Sequence, residues 1–189
     1  MPRASTVPLA CHPHTPNGAV RHIEVRVLRS PADTLALTFA IDGDLARVRI
    51  PPASPPRFAH GLWEHTCFEA FVAVDGDAAY HELNASPSGE WAAYSFASYR
   101  SPDGLSDDLP APNIVVRARA HQLELDALVV LHRLSPRYAR APLRLGLAAV
   151  VEDNGGALSY WALRHPPGRP DFHHHDALAL RLEPPAADC

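Results

Sequence analysis

Apolar and polar side chains alternate with a period of two from His22 to Leu28, where Ile23, Val25 and Val27 face one way, and again from Leu35 to Ile41, where Leu35, Leu37, Phe39 and Ile41 do. That spacing follows the alternating faces of an extended chain rather than the 3.6-residue turn of a helix, so it commits both stretches to half-buried strands. Proline reinforces the constraint. The 20 prolines in 189 residues are about twice the usual share. They cluster in Pro51 to Pro56 and His165 to Pro170, where a missing N–H and a fixed φ end short elements and exclude long helices. Further strands are predicted at 45–50, 66–74, 78–86, 91–99, 113–120, 122–130, 143–151, 157–163 and 177–183. Asp75-Gly76-Asp77 and Asn154-Gly155-Gly156 tolerate positive φ and close hairpins. Only His132 to Arg140 invites a helical turn, and Pro136 keeps it short. About ten to eleven short antiparallel strands without alternating helices define an all-β protein, a sandwich or a barrel.

The length suits one domain able to bury a core without covalent staples. The expected organisation is an irregular lead-in over 1–18, a single β domain over 19–183 and a tail over 184–189. A formal charge of −4 and a pI near 6.3 provide no broad positive field for phosphates, which argues against nucleic acid as a partner. All 17 basic residues are arginine, so lysine Schiff bases, pyridoxal attachment and the P-loop lysine are excluded. Three cysteines without a CxxC pair predict no disulfide framework. The start has no apolar run long enough for a signal core, and no segment approaches a membrane span, so a soluble, cytoplasmic protein is expected, with no membrane partner. Nothing in the sequence specifies a protein partner.

The polar residues within the strands carry the functional reading. On 78–86, Tyr80, Glu82 and Asn84 share one face; on 66–74, Glu69 is the odd polar member of an apolar strand. Both carboxylates have two readings: the wet face of an antiparallel sheet, or the floor of a ligand site. On 91–99, Trp91 and Tyr99 take one parity and Tyr94 and Phe96 the other, with Arg100 at the end. Large aromatics on both faces suggest that one is core and the other a polar-edged concavity of the kind that takes small molecules. A sugar suits such a hollow, because a flat ring covers its C–H face while carboxylate, amide and guanidinium groups receive its hydroxyls. Trp63, Trp91 and Trp161 are the candidate platforms, each also a candidate for the core. Three imidazoles and two carboxylates crowd Asp171 to Asp176, but on an extended segment at most two would converge, and the spacing matches no zinc pattern, so no metal site is assigned. No GxSxG or HExxH motif is present. His65 lies two residues from Cys67, without a surrounding nucleophile signature. Glu69 and Glu82 would serve a glycosidase only at a separation of about 5–9 Å.

Three stretches taken together, Leu62 to Val74, Tyr80 to Arg100 and Tyr160 to His173, resemble the bacterial DOMON-like proteins, relatives of the family 9 carbohydrate-binding modules. The resemblance implies a β-sandwich of ten to eleven short strands holding a sugar or a haem on one sheet, with no catalysis of its own. It carries over Trp63, Glu69, Tyr80, Glu82, Asn84, Trp91, Tyr94, Arg100, Trp161, His165, Asp171 and His173 as ligand-binding positions. Met1 is the only methionine, so an internal methionine cannot ligate haem, and His165 or His173 would have to. Haem is therefore the alternative to a small carbohydrate or sugar-containing metabolite, and no cofactor is required. A carboxylate-based hydrolase using Glu69 and Glu82, and a protein-interaction module, complete the alternatives.

Overall fold

A computed structural model describes residues 4–30, 33–105 and 111–185. In chain order it contains β1 (Ser5–Cys11), β2 (Val20–Ser30), β3 (Thr34–Gly43), β4 (Cys67–Val74), β5 (Tyr80–Ala85), β6 (Trp91–Ser98), β7 (Ser101–Leu105), β8 (Asn113–Ala118), β9 (Gln122–Val130), α1 (Leu131–Leu134), β10 (Leu143–Glu152), β11 (Leu158–Ala162) and β12 (Leu180–Leu182). The strands follow the path β7-β6-β5-β4-β10-β11-β1-β2-β3-β9-β8, with β12 added to β10. Every pairing is antiparallel. The path folds over at β1, whose Ser5–Leu9 stretch pairs with β2 and whose Ala10 and Cys11 pair with β11.

The two halves close on one apolar layer. The first sheet contributes Ile23, Val25, Val27, Leu37, Phe39, Ile41, Leu123 and Leu125; the second contributes Phe68, Ala70, Val72, Leu143, Leu145, Leu147 and Ala149. The Phe39 and Phe68 rings meet across it at 5.0 Å. Each such buried large side chain contributes about 1.5–3 kcal/mol. The period-two sequences of β2 and β3 therefore have the expected meaning: their apolar parity faces the core. β4 differs, since all eight of its residues are buried. One of its faces packs in the sandwich; on the other Cys67 packs with Leu62 and Ala92, and Phe71 and Ala73 with Tyr80, Phe172 and Leu178, which explains its nearly continuous apolar sequence.

Several strand limits differ from expectation. Residues 5–11 are a strand rather than an irregular lead-in. Pro8 is tolerated there because Ser5–Leu9 is bonded along one side only, the edge situation in which a missing N–H costs no ladder bond. Residues 45–50 make a 3-10 turn at Leu45–Arg47 and a single bridge from Val48 to Asp153. β3 is already bonded to β2 and β9 along both edges, so no partner remained for another strand. β7 was not anticipated, because Pro102 and Gly104 disguise it, and as an outermost strand it accommodates both. Of 177–183 only Leu180–Leu182 is extended, after a 3-10 turn at His175–Ala177. The hairpin turns fall where expected, with Gly76 and Gly156 at φ of 90° and 84°. The helical turn is α1, followed by a 3-10 turn at Pro136–Ala139. Cys11 and Cys67 are unpaired thiols, whereas Cys189 and the tail from 186 onward lie outside the described residues. Among the described residues no helix is long and apolar enough to cross a membrane.

Candidate functional site

Strand register places the two strand carboxylates together on the outer face of the second sheet. One row across β6, β5, β4, β10 and β11 reads Ala92, Asn84, Glu69, Ala148 and Ala162. The adjacent row reads Tyr94, Glu82, Phe71 and Gly146. Glu69 and Glu82 are thus diagonal neighbours, with Cβ atoms somewhat less than about 7–8 Å apart by sheet geometry. The small residues flanking Glu69 leave space above the sheet, whereas Gly146, beyond Phe71, lets the C-terminal segment pack directly onto it. At Gly146 even a Cβ would come within 3.3 Å of the Ala177 carbonyl oxygen and of the Phe71 Cβ.

Aromatic side chains wall this space into a hollow of about 390 Å³, within the usual range for small-molecule sites. On one side stands Trp63, raised on a 3-10 turn at Leu62–Glu64 that is anchored by buried Leu62 and entered through Gly61 at φ 74°. Trp63 packs edge-on to Tyr94 at 5.9 Å. Phe96, Tyr160, Phe172 and Pro170 also line the hollow, with the strand residues Val150, Glu69 and Glu82 and with Arg100 and His173. The 91–99 segment thus sends Tyr94 and Phe96 into the hollow.

A hydrogen-bond chain fixes the polar margin. Arg100 occupies the tight turn between β6 and β7 at φ 51°, a left-handed conformation that is uncommon for a residue with a Cβ. Its amide donates to the Tyr80 hydroxyl at 3.2 Å, and its Nη2 donates to Asp171 Oδ1 at 2.9 Å. Asp171 also accepts from the Tyr99 hydroxyl at 2.6 Å and from the His173 amide at 3.2 Å. The Tyr80 hydroxyl also shares a hydrogen bond with His173 Nδ1 at 2.8 Å. His173 Nε2 lies 3.6 Å from Glu82 Oε2. Burial, with Arg100 nearby, pushes the His173 pKa down to about 4, so this contact is between a neutral imidazole and a carboxyl group rather than an ion pair.

The floor is electrostatically expensive. Glu82 is pushed up to about 7 by burial, against the lowering effect of the Asn84 amide and the Arg100 charge. Asn84 Nδ2 donates to Glu82 Oε1 at 2.8 Å, while the buried Asn84 Oδ1 has no hydrogen-bond partner. Glu69 is only 4% exposed, and no hydrogen bond of its side chain occurs among the described residues. Burial and the Glu82 charge hold its carboxyl well above the ordinary range. The same environment pushes Tyr94 up to about 12 and raises Cys67 strongly, burial being the main cause for both.

The sequence-derived positions separate into three groups. Trp63, Glu69, Glu82, Tyr94, Arg100 and His173 border the hollow. Tyr80, Asn84 and Asp171 stand one bond behind it and hold those residues in place. Trp91, Trp161 and His165 are elsewhere. Trp161 has the parity of Ala149 and packs in the core, so its neighbour Tyr160 faces the hollow instead. Trp91 is paired with Ala85 and meets Phe58 edge-on at 5.5 Å. His165 Nε2 lies 2.8 Å from the Ala10 carbonyl oxygen, beside His12. The two imidazoles considered for haem therefore do not share the hollow, and Tyr80 already occupies His173 Nδ1. His65 Nδ1 lies 2.7 Å from Glu152 Oε2, and Arg49 reaches the other oxygen of that buried carboxylate; the Cys67 thiol donates to the Phe68 carbonyl at 3.6 Å. His174, His175 and Asp176 bring one ligand atom each within 4.8 Å of one another. The expectation that at most two would converge fails because the segment turns as a 3-10 helix instead of extending. Phe96, Val150, Tyr160, Pro170 and Phe172 were not singled out. Only Phe96 had a signal of its own, its shared parity with Tyr94.

No family model and no curated protein matches the sequence. Solved structures do match in fold. A crystal structure of a candidate carbohydrate-binding protein from Bacteroides uniformis superposes with a TM-score of 0.65 at 14% identity, covering 90% of this chain and 82% of that one. A family 9 carbohydrate-binding module from Caldicellulosiruptor kristjanssonii matches in its glucose complex with a TM-score of 0.55 at 6% identity, covering 89% and 80%. Its cellotriose complex matches with a TM-score of 0.51 at 7% identity, covering 82% and 75%. The chain thus has the β-sandwich fold of family 9 carbohydrate-binding modules.

Proposed function

We propose that the protein is a non-catalytic, DOMON-like module that binds a small carbohydrate or sugar-containing metabolite in the hollow on its second sheet. The observation that carries this reading is the unmet hydrogen-bonding capacity beneath aromatic walls: the Glu69 carboxyl lines the hollow, and no hydrogen bond of its side chain occurs among the described residues. Buried polar groups are ordinarily paired, and an unpaired one costs about 1–3 kcal/mol. Sugar hydroxyls, which both donate and accept, supply the missing partners, while Trp63 offers a partly exposed indole face for the C–H surface of the ring. The sugar ligands of structures sharing the fold support the same reading.

Tryptophan fluorescence tests it. Of the three indoles only Trp63 borders the hollow, so titration with a monosaccharide and disaccharide panel is expected to shift the emission, and Trp63→Ala to abolish the shift while leaving the Tm nearly unchanged. No shift with any sugar at millimolar concentration overturns the proposal.

A further inference from the structure

Among the described residues the hollow is lined by two buried carboxyls and one guanidinium, that of Arg100. Around Glu69 and Glu82 the charged and titratable groups are few. β4 offers Cys67, and the adjacent strands offer Tyr80, Tyr94 and Tyr160. Burial raises the thiol and the Tyr80 and Tyr94 phenols, so these three are uncharged at neutral pH. The C-terminal loop offers His173, neutral above about pH 4, and Asp171. The guanidinium of Arg100 is ion-paired with Asp171. A buried carboxylate must be protonated or matched by positive charge; the Arg100 charge acts on Glu82, yet burial outweighs it and both carboxyls stay raised. Glu69, 4% exposed and without a hydrogen bond, faces the empty space. The aromatic rings that line the hollow with it, Trp63, Tyr94, Phe96 and Phe172, are themselves favourable surroundings for a cation.

From the two buried carboxyls side by side on the floor and the aromatic rings that line the hollow with them, we infer that the ligand is a sugar bearing a protonated amino group, with the ammonium seated between Glu69 and Glu82. This rests on the sugar-binding reading above and specifies its chemistry. A neutral sugar fits the hollow only while the carboxyl pair retains a proton. An amino sugar supplies three donors and the missing charge, and it releases that proton as it binds.

Isothermal titration with glucosamine, glucose, N-acetylglucosamine and cyclohexylamine separates the outcomes. At neutral pH glucosamine is expected to bind at least about tenfold more tightly than glucose or N-acetylglucosamine, the margin normally lost with one charge-assisted contact. Its affinity is expected to rise at least about tenfold from pH 5 to pH 7, as Glu82 ionises while an amine of this type stays protonated. Buffers of different ionisation enthalpy should register net proton release. Glu69→Gln and Glu82→Gln, each nearly isosteric, should remove the preference for glucosamine over glucose, and a preference that survives both substitutions overturns the inference. Glucose binding as tightly as glucosamine overturns the inference and leaves the sugar reading standing. Cyclohexylamine equalling glucosamine while glucose is silent overturns the amino-sugar assignment and the sugar reading together, as does silence from all four.

Discussion

Glu69 and Glu82 oppose folding at neutral pH, and the sign of their pH dependence shows it. The folded protein holds the Glu82 carboxyl at about 7, against an ordinary value of 4.5, and Glu69 well above its ordinary range. Between those limits the folded state binds more protons than the unfolded chain. The contribution of the pair to stability is therefore complete below about pH 4.5 and is lost as pH rises through about 7. His173 runs the other way: its pKa is depressed from 6.5 to about 4, so its contribution is present above pH 6.5 and lost as pH falls through about 4. Glutamine mimics the protonated acid. Glu69→Gln should therefore raise Tm at pH 8 by roughly 3–10 °C and change it little at pH 4.5, given the usual shift of about 2–4 °C per kcal/mol for a protein of this size. Scanning calorimetry at the two pH values checks this; equal shifts at both would mean that the carboxylate is not buried as a charge. The residue scale is also where sequence reading was most mixed. Glu69 was legible as the polar exception in an apolar strand, and Glu82 from its parity with Tyr80 and Asn84. Trp161 was not, because a tryptophan that caps a core and one that lines a hollow look the same without a strand partner to set the face.

At the scale of elements, β1 holds the two sheets together, pairing with β2 through Ser5–Leu9 and with β11 through Ala10 and Cys11. Its neighbour His12 extends the seam, donating its amide to the Tyr160 carbonyl at 2.7 Å. Deleting residues 1–11 would expose core residues beneath Leu9 and open strand edges in both sheets, which invites edge pairing between molecules. Such a truncation is expected to destabilise the fold by more than about 3 kcal/mol, beyond the range of ordinary single substitutions, and to aggregate. Denaturant unfolding monitored by circular dichroism checks it; a truncated chain with unchanged midpoint would refute the bridging role. Elements were legible where alternation was clean, as in β2, β3 and β9. They were hidden where proline or glycine sits on an edge, as in β1 and β7, since sequence does not tell an edge from an interior. The predicted strand at 45–50 failed for the complementary reason: its pattern was suitable, but no free edge lay beside it.

The whole molecule divides its two outer faces between different tasks. On the first sheet the outer face is polar, with Arg117 bonded to Glu124 and Asp126. On the second it is covered by Trp63, the Arg100 turn and the segment carrying Phe172 and His173, which come from distant parts of the chain and meet only around the hollow. A ligand seated there binds the folded state alone. At a hundred times its Kd it should add about 2.7 kcal/mol, or roughly 5–10 °C in Tm. Hydrogen exchange should slow most in β4, β5 and β6 and least in β2, β3 and β9. Equal protection of both sheets would place the site elsewhere.

Local pattern determined the strands of the core, the turns at Gly76 and Gly156, and the all-β class, because period-two burial and positive φ are properties of a few consecutive residues. It also marked Glu69 and Glu82, since a charge within an apolar strand needs an explanation wherever the strand lies. Only the tertiary structure decided that Asn84, Glu69 and Ala148 form one row, that Tyr160 rather than Trp161 faces the hollow, and that Phe172 and His173 close over it. Those relations depend on register between strands far apart in sequence, and a one-residue slip would send every one of those side chains to the opposite face.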